Sequence, residues 1–108
     1  MSEPTGPDAN GKKMFADVDL ETPIVRGETT IDKVQLRRPL GGALRGLSTL
    51  DLVRMEYNAI RTVVPRISTP PVLEQDFDRM DGADILTIST EVAGFFLPRG
   101  MSPDSLAQ

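Results

Sequence analysis

The apolar residues of this chain change period once, across Pro39 and the Gly41-Gly42 pair, which limits the fold to a strand-bearing half followed by a helical half. From Asp17 the pattern alternates strictly, with Val18, Leu20, Thr22 and Ile24 on one side and Asp17, Asp19 and Glu21 on the other. Alternation of this kind marks a strand with one buried face. Pro23 cannot donate to a ladder, so it puts the strand at a sheet edge or ends it there. Arg26-Gly27-Glu28 supplies a turn, and Ile31 to Arg38 reads as the returning strand with Val34 and Leu36 facing inward. Ile31 has the wrong parity for that face, which predicts a bulge or a longer loop near Asp32-Lys33.

Beyond the glycines a short segment, Ala43 to Leu47, is compatible with a helical turn, and the strongest helical pattern follows it. Ser48 or Thr49 suits an N-cap and Asp51 suits a first turn, while Leu50, Val53, Tyr57, Ile60 and Val64 recur at three- and four-residue steps until Pro65, a stripe widened by Leu52, Ala59 and Val63. The pattern predicts one long helix ending at Pro65. Thr69 before Pro70-Pro71 reads as a further helix start, with Leu73, Phe77 and Met80 as its apolar stripe. Asp81 then caps a last helix, with Asp84 in its first turn and Ile85, Ile88, Val92, Phe95 and Phe96 on one face, up to Pro98 and Gly100. With no internal repeat, the expected architecture is a single α+β domain, an N-terminal β-hairpin followed by three to four short α-helices, over residues 17–97. Residues 1–16 read as a flexible leader and 98–108 as a flexible tail.

Composition removes most chemistry. The 108 residues include no Cys and no His, so there is no disulfide, no thiolate, no Ser/His or Cys/His pair and no common transition-metal ligand. The opening residues do not resemble a secretory signal, and no apolar run approaches membrane-spanning length, so the expected address is cytoplasmic with no membrane partner. Charge is segregated: residues 1–32 sum to −4, residues 33–66 to +5 and residues 67–108 to −5. Such blocks either neutralise one another within the fold, the commoner outcome, or steer a charged partner onto one face.

Three clusters compete for a functional role. Asp76, Asp78, Asp81 and Asp84 lack the Gly and Glu that an EF-hand loop needs, and capping accounts for Asp81 and Asp84, so neither a metal nor any other cofactor is expected. Arg37, Arg38, Arg45, Arg54, Arg61 and Arg66 could contact phosphates, but the chain is acidic, with a pI near 4.7, and no aromatics interleave with them; no nucleic acid is expected. Glu56 falls inside the apolar arc of the long helix and should find a cation, from Arg37, Arg38 or a partner. The wide apolar faces are the most informative feature, since each large side chain contributes roughly 1.5–3 kcal/mol when buried. Neighbouring elements can cover most of this area, and the surplus points to a binding protein without an active site.

The strand end Leu36-Arg37-Arg38-Pro39, the helix start Met80-Asp81-Gly82-Ala83-Asp84 and the closing pair Phe95-Phe96 together resemble the Mu-like phage tail assembly chaperones, over about Asp17 to Leu97. Met80 stands where that family has Leu, and the leader before Asp17 and the Thr69-Pro70-Pro71 insertion depart from its pattern. The resemblance implies a noncatalytic chaperone that coats the tape measure protein in the host cytosol, with the tail tube protein as a possible further partner. It also implies release before the particle matures. On that reading the face around Leu73, Phe77, Ile85, Val92 and Phe96, together with Glu56, is available to the client or to a second copy. The rival readings are a small virion tail or connector subunit and a DNA-binding regulator or antitoxin.

Overall fold

The structure, a computed structural model, describes residues 13–97. Residues 1–12 of the expected leader and the whole expected tail lie outside the described residues. Strand β1 spans Phe15–Arg26 and β2 spans Thr29–Arg37, paired antiparallel. Phe15 and Ala16 thus belong to the sheet rather than to a leader, because Ala16 is buried opposite Leu36. Gly27 and Glu28 form the two-residue turn, and Gly27 carries φ +60°, a conformation that hairpin turns reserve for glycine at this position.

The parity of Ile31 is repaired by a register shift. Phe15 to Asp19 pair with Arg37 to Lys33, whereas Ile24 to Arg26 pair with Ile31 to Thr29, so Leu20 to Pro23 face Asp32 alone. Three extra residues in β1 match an even step along that strand with an odd step along β2. Ile24 and Ile31 therefore both reach the core with Val18, Val34 and Leu36. The irregularity lies where it was expected, but the inserted residues belong to β1. Pro23 is accommodated in this unpaired stretch, on an edge strand.

A third strand, β3 (Ser68–Thr69), pairs antiparallel with β2 at Leu36 and Gln35, giving the order β1-β2-β3. The helix start expected at Thr69 is not there. The Thr69–Pro70 peptide is cis, and the next helix begins at Glu74.

The expected long helix is two helices. After a 3-10 turn at Gly41–Leu44 come α1 (Thr49–Val53) and α2 (Tyr57–Ile67). They are separated at Met55, whose φ of +59° is left-handed and cannot continue a helix. The break re-phases the apolar stripe: Leu52, Ala59, Ile60, Val63, Val64 and Ile67 are buried, while Leu50 is 53% exposed and Tyr57 also faces outward. Pro65 does not end α2, which runs two residues further to Ile67; near a C-terminus the missing N–H costs only one late bond. The helical half closes with α3 (Glu74–Arg79) and α4 (Gly82–Gly94). Asp81 caps α4 as expected, its Oδ1 accepting the Ala83 N–H at 2.8 Å. The helix stops at Gly94, short of Pro98, leaving Phe95 buried in the turn beyond it.

One core lies between the sheet and the helices, centred on Leu36, Leu52, Ile60, Phe77, Ile88 and Val92. Helix α4 packs on β1 and α1, and α2 packs on α1, α3, β2 and the 3-10 turn. The architecture is α+β, as the change of apolar period implies.

Candidate functional site

The α4 to β1 junction is fixed by a carboxylate. Asp84, 1% exposed in the first turn of α4, accepts the N–H of Glu21 at 2.8 Å and that of Thr22 at 3.0 Å. Both donors lie in the unpaired stretch of β1, where β2 offers no acceptor, so the helix completes the sheet's hydrogen bonding. Lys13 adds an ion pair to Glu91 of α4 at 3.1 Å. Both carboxylate oxygens of Asp84 are thus taken up in holding the junction together.

A second cluster joins α2 to α3. Arg61 donates from Nε and Nη2 to the two oxygens of Asp78, at 2.8 and 2.9 Å, and from Nη1 to Glu74 at 3.0 Å. The Tyr57 hydroxyl donates to Asp78 Oδ1 at 2.7 Å, and its ring stacks at a tilt on Phe77, with centroids 5.3 Å apart. The hydrogen bonds from Arg61 and then Tyr57 hold Asp78 below the usual carboxylate range, and the bond to Asp78 raises Tyr57 above the usual phenol value. Both shifts move these groups away from neutral pH, the opposite of what proton transfer at that pH requires. Among the described residues no group of three or more acidic, His or Cys side chains could hold a metal ion.

The third feature is a groove of about 260 Å³ lined by Met14, Phe15, Arg37, Arg38, Leu40, Gly42 and Ala43, where the end of the hairpin meets the 3-10 turn. Leu40 stands 68% exposed at its rim. The arginines around it are fastened by backbone carbonyls. Arg37 donates to Arg66 O at 2.7 Å, Arg66 to Ala43 O and Arg45 O at 2.9 Å each, and Arg38 to Lys13 O at 3.2 Å. Among the described residues the basic groups in ion pairs are Lys13, Arg26, Lys33 and Arg61, so Arg37, Arg38, Arg45, Arg54, Arg66 and Arg79 have no carboxylate partner there, and of these Arg37 and Arg38 line the groove.

The residues singled out in the sequence are distributed differently from expectation. Phe77 and Val92 are fully buried in the core, so the closed domain presents no face that contains them. Ile85 and Phe96 are half-buried and packed against the core, and Leu73 is half-buried at the start of α3. Glu56 is not in an apolar arc, because the break at Met55 turns it outward, and its Oε1 caps α2 by accepting the Ala59 N–H at 3.0 Å. Leu40 and Leu86, the latter 59% exposed on α4, are reachable apolar side chains. Leu40 could have been noticed as a lone apolar residue set between Pro39 and two glycines.

Comparison with known proteins places these features in context. The family model described as phage tail assembly chaperone proteins, E, or 41 or 14, matches residues 17–97. Tail assembly protein E of Escherichia phage P2 is 32% identical over 84 residues, covering 78% of this chain and 92% of that protein. Tail assembly protein E' of the same phage is 31% identical, over 82% of this chain and 68% of its own length. No solved structure matches.

Proposed function

This chain belongs to the phage tail assembly chaperone family, and from that premise we propose that it binds the tape measure protein noncovalently during tail assembly, without catalysis, and leaves before the particle is complete. The observation that carries this reading is the family match over residues 17–97, the span that also contains the whole described sheet and all its helices. A holding function needs reachable apolar side chains on a stable body rather than poised acid/base groups. Leu40 and Leu86, with the half-buried Ile85 and Phe96, are such side chains, while the titration shifts at Tyr57 and Asp78 oppose proton transfer at neutral pH. No helix among the described residues is long and apolar enough to cross a membrane, in keeping with action in the host cytosol.

Affinity capture tests the proposal. The tagged chain, coexpressed with the tape measure protein of its own phage, should retain that protein through washing, and mass spectrometry of purified particles should find the chain missing. Failure to retain the tape measure protein would contradict the binding claim. Stoichiometric chain in finished particles would make it a tail or connector subunit instead.

A further inference from the structure

We propose that the groove between the hairpin end and the 3-10 turn docks an acidic segment of the partner protein, one that inserts an apolar side chain beside Leu40 and pairs its carboxylates with Arg37 and Arg38; the proposal rests on the chaperone reading above. Two properties of the groove select this occupant. Its floor is apolar, formed by Met14, Phe15 and Ala43, and its volume of about 260 Å³ suits one or two large side chains. Its rim is cationic, because the lining residues Arg37 and Arg38 have no carboxylate partner among the described residues, and Arg66 lies beside them, bonded to the carbonyl of the lining residue Ala43.

The cations are also held in place. Arg66 is tied to two carbonyls of the segment around the 3-10 turn, Arg37 is tied to the carbonyl of Arg66, and Arg38 is tied to Lys13 O, so the rim is ordered before anything binds. Preorganised guanidiniums lose little freedom on binding and still have N–H groups for a bidentate carboxylate. A nucleic acid would use the arginines but leave the apolar floor and Leu40 unused. An acidic segment with an apolar anchor uses both.

The test scans overlapping peptides of about 20 residues, tiling the tape measure protein and the other proteins encoded beside it, against the full chain by fluorescence anisotropy. The peptides that bind are expected to be acidic and to contain an apolar residue. Binding is expected to weaken about tenfold or more in the double variant Arg37→Glu/Arg38→Glu and in Leu40→Asp, and to fall with added salt. Leu50→Asp, on the exposed side of α1, is expected to bind as the parent does, and circular dichroism should show all variants folded, because the altered side chains are exposed or, for Arg38, half-buried. The inference is overturned if no peptide binds, if neutral or basic peptides bind as well as acidic ones, or if Leu50→Asp abolishes binding while the arginine variant does not. It is equally overturned if duplex DNA binds through Arg37 and Arg38 while no peptide does. If the bound peptides come from a protein other than the tape measure protein, the groove stands and the client assignment fails. If whole tape measure protein is captured equally by the arginine variant, the client stands and the groove fails.

Discussion

Asp84 shows how one side chain can hold two kinds of secondary structure together. Its place in the first turn of α4 follows from the sequence, since acids favour helix N-termini, but its acceptors' partners in β1 lie 62 and 63 residues away in a stretch without ladder bonds. Nothing local in the sequence signals that pairing. Replacing Asp84 by Ala leaves the Glu21 and Thr22 N–H groups without it and should destabilise the domain by about 2–4 kcal/mol. Asp84→Asn, with one acceptor oxygen and a donor that opposes the second N–H, should lose about 1–3 kcal/mol. Urea unfolding curves would measure both, and losses below a few tenths would contradict the role. The Tyr57, Arg61 and Asp78 cluster gives a pH signature. Asp78 titrates below its usual 3.8 in the folded state, so its contribution is present above that value and lost as pH falls through the lower folded value. Tyr57 titrates above 10, so its contribution is present below that value and lost as pH rises through the higher folded value. Stability should therefore be flat through neutral pH, and Asp78→Asn should reduce the acid-side dependence without changing the fold, as read from denaturation midpoints at pH 2 to 7. Since Asp78 is exposed, the effect is screened and small.

At the scale of elements, the sequence was most readable where periodicity and capping agree. The alternation from Val18 to Ile24 marks β1, the pattern offers Ser48 or Thr49 and Asp81 as caps, of which Ser48 and Asp81 cap in the fold, and the stripe from Ile85 to Val92 marks α4. It was least readable where a single backbone angle decides the outcome. The left-handed residue Met55 splits the helix while leaving a three- and four-residue repeat that looks continuous, so Leu50 and Tyr57 count as core in the sequence and lie outside in the fold. Leu50→Lys should therefore change stability by no more than about 0.5 kcal/mol, whereas Leu52→Ala should cost about 2–5 kcal/mol. A continuous helix would make both substitutions costly. Met55→Val, which puts a β-branched residue at positive φ, should destabilise by about 1–2 kcal/mol, and Met55→Gly should be better tolerated. Thermal unfolding of the four variants would decide. The two-residue strand β3 had no pattern to reveal it, because two residues carry no periodicity and its pairing depends on β2, more than thirty residues earlier.

Across the whole molecule, charge and apolar area explain how a chain without His or Cys can be useful. The acidic C-terminal third neutralises part of the basic middle, through Arg61 with Glu74 and Asp78, while Arg37 and Arg38, without a carboxylate partner among the described residues, border a small apolar groove. Of the expected client face, Phe77 and Val92 are spent on the core, since a domain of this size has few residues to spare. What remained legible was the class of protein: the Leu36 to Pro39 strand end, which the resemblance singled out, is the segment that borders the groove. The central claim is that this folded domain holds the tape measure protein in a soluble complex. The most direct measurement is the fraction of tape measure protein in the soluble extract, and the mass of any complex by light scattering, when it is expressed with and without this chain. Soluble tape measure protein that depends on the chain and coelutes with it as one defined species is the expected result. Equal solubility in both cases, with the two proteins eluting apart, would contradict the claim.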